Sequence, residues 1–301
     1  MGGLMAILIL GIFLNQSLLI SLILLAGFLV VLTFLHNAKW GIFLILFIRP
    51  MMDKFGEQFT ISLMENIKFN TAAVFGMLVI ILLLIFLFAK RSELKDVLLK
   101  KYWLLFLLIA LVSIFVSIEK VSSIYEMLRI VSIFLFFTVV FIFIKNEKSP
   151  KIILEAIIFS AIIPFLFATY QLLTQTGLGG TGGLESRLFG TFSHPNPFAS
   201  FVVIVLAVAL YCIFQEKDSR KKWLLGIFIF WGILILEQTY ARGAWLAFLI
   251  FLTIVTLKKS PKILLGVILL SCALFFFSET IHDRVEDIYN PPADSSVRWR
   301  F

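Results

Sequence analysis

The sequence predicts an all-α integral membrane protein, a polytopic helix bundle of about 10–11 spans. Three observations carry this reading. Of 301 residues, 61% are hydrophobic, and the mean hydropathy is +1.05, far above that of soluble domains. Continuous apolar runs of roughly 15–22 residues recur along the chain, which suits spanning helices and not the alternating pattern of a β-barrel. The connections between the runs alternate in charge, as loops on opposite sides of a bilayer do.

Taken in order, the spans fall at about 4–35, 39–49, 70–89, 103–118, 129–144, 152–173, 198–214, 223–239, 243–257 and 262–278. The first is either one long helix or a tight hairpin broken at Asn15, Gln16 and Ser17. The second is too short to span and ends at Arg49 and Pro50, so a half-helix or one arm of a packed pair is expected. The stretch 51–69 reads as a connector of mixed charge. Residues 118–129 (IEKVSSIYEMLR) place Val121, Ile124, Tyr125 and Leu128 at helical spacing, which suits a helix in the interface plane or a polar connector. Pro164 is expected to kink the span 152–173. The N-terminus lacks a basic leader, so no cleavable signal peptide is expected. Two broad regions result, 1–173 with the N-terminal spans and 174–301 with a Gly-rich loop, four spans and a terminal external stretch.

One set of connections holds 16 of the 26 basic residues and six acids; the other holds ten basic and twelve acidic residues. The positive-inside rule assigns the basic set to the cytoplasm. The net charge of +8 is therefore a topology signal, and no nucleic-acid partner is expected. Cys212 and Cys272 read as small buried apolar residues, without metal-ligand company or a disulfide. The 34 phenylalanines are packing and lipid-facing material.

The polar residues that interrupt this pattern gather on the extracytoplasmic side. A loop holding Gly177, Gly179, Gly180, Gly182, Gly183 and Gly190 leads through ESRLFGTFSHPNPFAS (185–200) into a span. Such a loop is either a flexible turn or a nest of backbone N–H groups around an anion. The next outer turn, TYARGAW (239–245), carries Arg242. Arg187 and Arg242 brought to one face suggest a site for an anionic headgroup, with a lipid diphosphate the natural candidate, because a guanidinium stays charged and matches phosphate oxygens with a planar fork of donors. Ordinary contact with lipid headgroups, or pairing of Arg242 with Glu237, are the alternatives. His194 reads as a turn residue beside Pro195, or as a base. Asn196, Glu237, Tyr240 and Arg298 complete the weaker substrate-binding set. His282 and Glu286 stand one helical turn apart, where a solvated face is expected over a metal site. No cofactor and no metal are expected.

ESRLFGTFSHPNPFAS, then TYARGAWLAF, then SSVRW together resemble the bacterial O-antigen ligase and O-antigen polymerase family, over roughly residues 170–301. The resemblance implies a GT-C type membrane fold in the cytoplasmic (inner) membrane, with the site on its extracytoplasmic side. It implies metal-independent, inverting transfer of a glycan from a polyprenyl-diphosphate carrier to a glycan, lipid or protein acceptor, with the arginines matching Arg187 and Arg242 holding the diphosphate. Ala241 stands where the family commonly has serine. The chain reaches Phe301 before the expected place of the family's external-loop histidine, and His282 lies too early to match it, so a chain shorter than the architecture is expected. A flippase or transporter of similar lipids, and a truncated member that only binds, are the competing readings. The first would place charges in mid-membrane.

Overall fold

The computed structural model describes residues 18–52, 60–64, 67–147, 150–178 and 186–259. The expected break at residues 15–17, Cys272 and the span at 262–278 lie outside these. The chain divides into two compact units, residues 1–156 and 157–301.

In the first unit, α1 (Leu18–His36) and α2 (Ala38–Ile48) form a tight antiparallel pair. Asn37 caps α2, its side chain accepting from the Lys39 N–H at 3.0 Å. Gly41 lets the two backbones touch, since a Cβ there would lie 2.5 Å from the Phe34 Cα. At 11 residues α2 is about 16 Å long, half a bilayer core, and it ends in the 3₁₀ turn Arg49–Met51 as its Arg-Pro sequence predicts. The connector 51–69 departs from the all-α expectation. Strands β1 (Thr60–Met64) and β2 (Ile67–Asn70) pair antiparallel, with Thr60 opposite Asn70 and an irregularity between Ser62 and Met64.

Helix α3 (Thr71–Ala89) follows, then a 3₁₀ segment (Arg91–Asp96), α4 (Lys100–Val116) and α5 (Lys120–Glu147). Helix α5 packs on both α3 and α4, with Leu82, Leu83, Val139 and Ile142 in the core. It corrects the sequence reading at residues 118–129, which are neither an interface-plane helix nor a connector. From Lys120 they run straight into the span, because no Gly or Pro separates the two apolar patterns. One end of this unit is tied by charge and amide contacts. Lys145 Nζ lies 2.7 Å from Asp96 Oδ2, and the Asn146 side chain donates to Glu93 Oε2 at 2.8 Å. The Asn146 bond, followed by the nearby Lys90, holds the Glu93 carboxyl below its ordinary range, and the Lys145 ammonium does the same for Asp96. Helix α4 buries none of its residues, and Leu108, Ile109, Val112 and Phe115 are all exposed.

Helices α6 (Lys151–Ser160) and α7 (Ile162–Thr174) form one apolar stretch broken at Ala161. The break sits one turn before Pro164, whose ring removes the N–H that would bond the Ser160 carbonyl. The expected kink is thus present.

The second unit is built on α7, α8 (Pro195–Gln215), α9 (Ser219–Glu237) and α10 (Arg242–Lys259). Helix α8 packs on α9 and α10, and α9 on α7 and α10. Phe165, Phe198, Val202, Val205 and Leu206 are fully buried. Gly232 admits Leu206 and Phe165 against the α9 backbone, as a Cβ there would lie 2.8 Å from the Leu206 side chain. Phe165 stacks on Phe228 and meets Trp231 edge-on, both at 5.3 Å. Polar groups within the apolar layers are satisfied locally. The Thr169 hydroxyl donates to the Phe165 carbonyl at 2.9 Å and accepts from the Trp231 indole N–H at 2.9 Å.

Among the described residues three helices are long and apolar enough to cross a membrane: Lys120–Asn146, Lys151–Thr174 and Pro195–Gln215. The chain is thus mainly helical and compatible with a membrane protein.

Candidate functional site

At one end of the second unit the C-terminal turn of α7, the N-terminus of α8 and the α9–α10 turn come together. The sequence sets each element there. His194 is the N-cap of α8, with Pro195 at the first helical position, where its missing N–H costs nothing. The His194 Nδ1 accepts from the Asn196 N–H at 3.1 Å. His194 is thus a turn residue that caps α8, one of the two readings the sequence offers for it.

Arg187 is held from three directions. Its backbone pairs with Leu178, N–H to carbonyl at 2.8 and 2.9 Å in the two directions, closing the neck of the Gly-rich loop. Gly177 makes this approach possible, because a Cβ there would sit 2.6 Å from the Arg187 carbonyl oxygen. The Arg187 Nε donates to the Thr239 carbonyl at 2.9 Å, and Nη2 donates to Asn196 Oδ1 at 2.9 Å. The neighbouring Leu188 N–H donates to the Gln238 carbonyl at 3.0 Å.

Arg242 is the first residue of α10, three residues beyond Thr239. The turn between α9 and α10 is tightly specified. Tyr240 adopts a left-handed conformation (φ 51°), its N–H donating to the Glu237 carbonyl at 3.1 Å. The Thr239 hydroxyl donates to the Leu236 carbonyl at 2.7 Å, and the Trp245 indole N–H donates to the same carbonyl at 2.9 Å. Trp245 thus ties the start of α10 to the end of α9.

The structure brings Arg187, His194, Asn196, Glu237, Tyr240 and Arg242 to one end of the helices. Their exposures differ. Asn196 and His194 are exposed, while Arg187, Glu237 and Arg242 are half-buried. Tyr240 is 4% exposed and its hydroxyl faces Gln238 Oε1 at 3.2 Å, so its ring shapes the turn and does not line an open surface. Arg298, the cluster around His282, and four of the loop glycines (Gly179, Gly180, Gly182 and Gly183) lie outside the described residues.

One residue stands out that the sequence reading did not select. Gln171, in the last turn of α7, is 2% exposed. Its Oε1 accepts from the Phe189 N–H at 3.1 Å and the Gly190 N–H at 2.9 Å, and its Nε2 donates to the Gly190 carbonyl at 3.1 Å. The signal was an amide at the end of an apolar span, one residue from Tyr170, which points outward.

The Arg187 guanidinium is thus held on the Thr239 carbonyl and the Asn196 side-chain oxygen, in the turn that opens the helix of Arg242. The arrangement suits an anion with several oxygen acceptors. Compared with protein-family models, curated proteins and solved structures, the chain matches none.

Proposed function

We propose that this end of the second unit binds the diphosphate of a polyprenyl-linked glycan, and that the protein transfers or polymerises the glycan onto a glycan, lipid or protein acceptor. The observation that carries the reading is that the Arg187 guanidinium is fixed on the Thr239 carbonyl, in the turn that opens the helix of Arg242. The exposed apolar faces, above all that of α4, call for lipid around the chain, so the reading includes a polytopic GT-C-like bundle in a cytoplasmic membrane with this site on the outer side.

In glycosyl transfer the acceptor hydroxyl oxygen bonds to the sugar C1 as the C1–O bond to the diphosphate breaks, and the hydroxyl proton passes to a base or to the departing diphosphate. Negative charge accumulates on the departing diphosphate. Cations already in place stabilise that charge more in the transition state than in the ground state. Each such contact is worth about 2–4 kcal/mol of barrier, by analogy with oxyanion donors. Helices α7, α8, α9 and α10 carry their charges only at their ends, which favours chemistry at the membrane face over transport through the middle.

The test is replacement of Arg187 or Arg242 by alanine. Each variant is expected to insert in the membrane at the normal level, to abolish surface glycan assembly and to accumulate the lipid-linked donor. Arg187→Lys is expected to restore only part, because an ammonium lacks the fork. Normal glycan with either alanine variant rejects the reading.

A further inference from the structure

We propose that Gln171 is a positioning residue for Arg187, its side-chain amide pinning the turn at Phe189 and Gly190 to α7 so that the guanidinium stands at the right height on the Thr239 turn. This deepens, and rests on, the reading of Arg187 as a diphosphate ligand.

The segment 187–190 is pinned by three elements. Leu178 holds the Arg187 backbone, Gln238 holds Leu188, and Gln171 holds Phe189 and Gly190. The first two pins are backbone to backbone and belong to any sequence. The third depends on one side chain. A primary amide buried on the inner face of an apolar helix carries a desolvation cost that only its bonds offset, so packing does not explain it. Its orientation is dictated by its partners. The oxygen must face two N–H groups and the NH₂ must face a carbonyl, a combination that, among side chains of this reach that are uncharged in water at about pH 7, only glutamine supplies.

The turn it holds has little room. Gly190 has φ 55°, and a Cβ there would lie 2.9 Å from both the Phe198 ring and the Pro164 carbonyl oxygen. Without the amide, three backbone groups, two of them buried, lose this partner, and water or a shifted turn must replace it. Either change moves the chain three residues from Arg187.

The test uses the full chain in detergent, with farnesyl diphosphate as the probe. Arg187→Ala is expected to lose binding. Gln171→Leu, which keeps the volume and drops the bonds, is expected to bind about tenfold more weakly or worse. Gln171→Glu reports the geometry. Protonated, its carboxyl accepts from the two amides and donates to the Gly190 carbonyl; ionised, it turns a negative oxygen on that carbonyl. Its affinity relative to wild type should therefore rise as the pH falls from about 8 to about 5.5. The ionisable groups at this end, Arg187, His194, Glu237 and Arg242, and the probe are common to both proteins, so the ratio isolates residue 171. A role confined to stability predicts a ratio that follows the folded fraction, read by thermal unfolding of the same samples, with no loss of affinity in the folded protein. Wild-type affinity in Gln171→Leu, or a flat ratio in Gln171→Glu, overturns the proposal while leaving the Arg187 reading intact. Wild-type affinity in Arg187→Ala overturns both. Where Gln171→Leu fails to fold, the Gln171→Glu ratio decides.

Discussion

Replacing Asn196 with aspartate separates what holds Arg187 from what Arg187 does. The Asn196 Oδ1 accepts from Arg187 Nη2 at 2.9 Å, and Asn196 occupies the second position of α8. A carboxylate there makes an exposed ion pair with Arg187, worth up to about 1 kcal/mol. It also meets the positive end of the helix, worth about 0.3–1 kcal/mol. The fold should gain roughly 1 kcal/mol, a rise of about 2 °C in unfolding temperature. Ligand binding should move the opposite way. A diphosphate oxygen about 5 Å from the new charge is repelled by about 1 kcal/mol at the dielectric of water and about 3 kcal/mol at an effective dielectric of 20. Affinity should fall roughly four- to two-hundredfold. Thermal unfolding and titration with farnesyl diphosphate, on the same detergent-solubilised sample, read the two effects. Asn196→Ala serves as the control, with a small loss in both. If aspartate leaves binding unchanged, or lowers binding and unfolding temperature together, the claim that Arg187 faces an anion beside Asn196 is refuted.

Two further outcomes are expected. Gly190→Ala should destabilise by about 2–4 kcal/mol, adding the left-handed backbone to contacts at 2.9 Å on two sides; thermal unfolding checks this, and an unchanged midpoint would contradict the packing described. Glu93 and Asp96 have carboxyls held below their ordinary range, so they stabilise the first unit at pH above that range, and the contribution is lost as the pH falls through their lowered values. The unfolding temperature should therefore drop on acidification below about pH 4, less steeply in a Lys145→Met, Asn146→Leu variant and in high salt. Identical profiles would remove the contacts from the account.

Helix positions were legible wherever an apolar run met a strong stop. Pro164 marked the break in the stretch 152–173, whereas α8 and α9 begin three and four residues before the expected 198 and 223, because the polar starts His194-Pro195 and Asp218-Ser219 lie outside the apolar runs. The start of α5 was misread because Glu119, Lys120, Ser122 and Ser123 look like a loop while Val121, Ile124, Tyr125 and Leu128 keep a helical phase. The hairpin at Thr60–Met64 and Ile67–Asn70 was missed because a short two-stranded pairing depends on register and not on hydropathy. At the site, the two arginines were visible because charge is conspicuous beside apolar spans. The bonds of His194 and Gln171 were not, since they depend on cap geometry and on partners distant in sequence. Tyr240, placed by the sequence in the weaker substrate-binding set, has a left-handed backbone and is buried.

The pairing of Leu178 with Arg187 fastens the chain where the glycine-rich excursion leaves and returns. A peg of this kind decouples what lies between from what lies beyond. Relatives of this chain could lengthen or shorten the excursion, or carry a different recognition sequence in it, without shifting the guanidinium. On the proposed reading, the contacts of Arg187 with Thr239 and Asn196 would then stay constant while the intervening sequence varied.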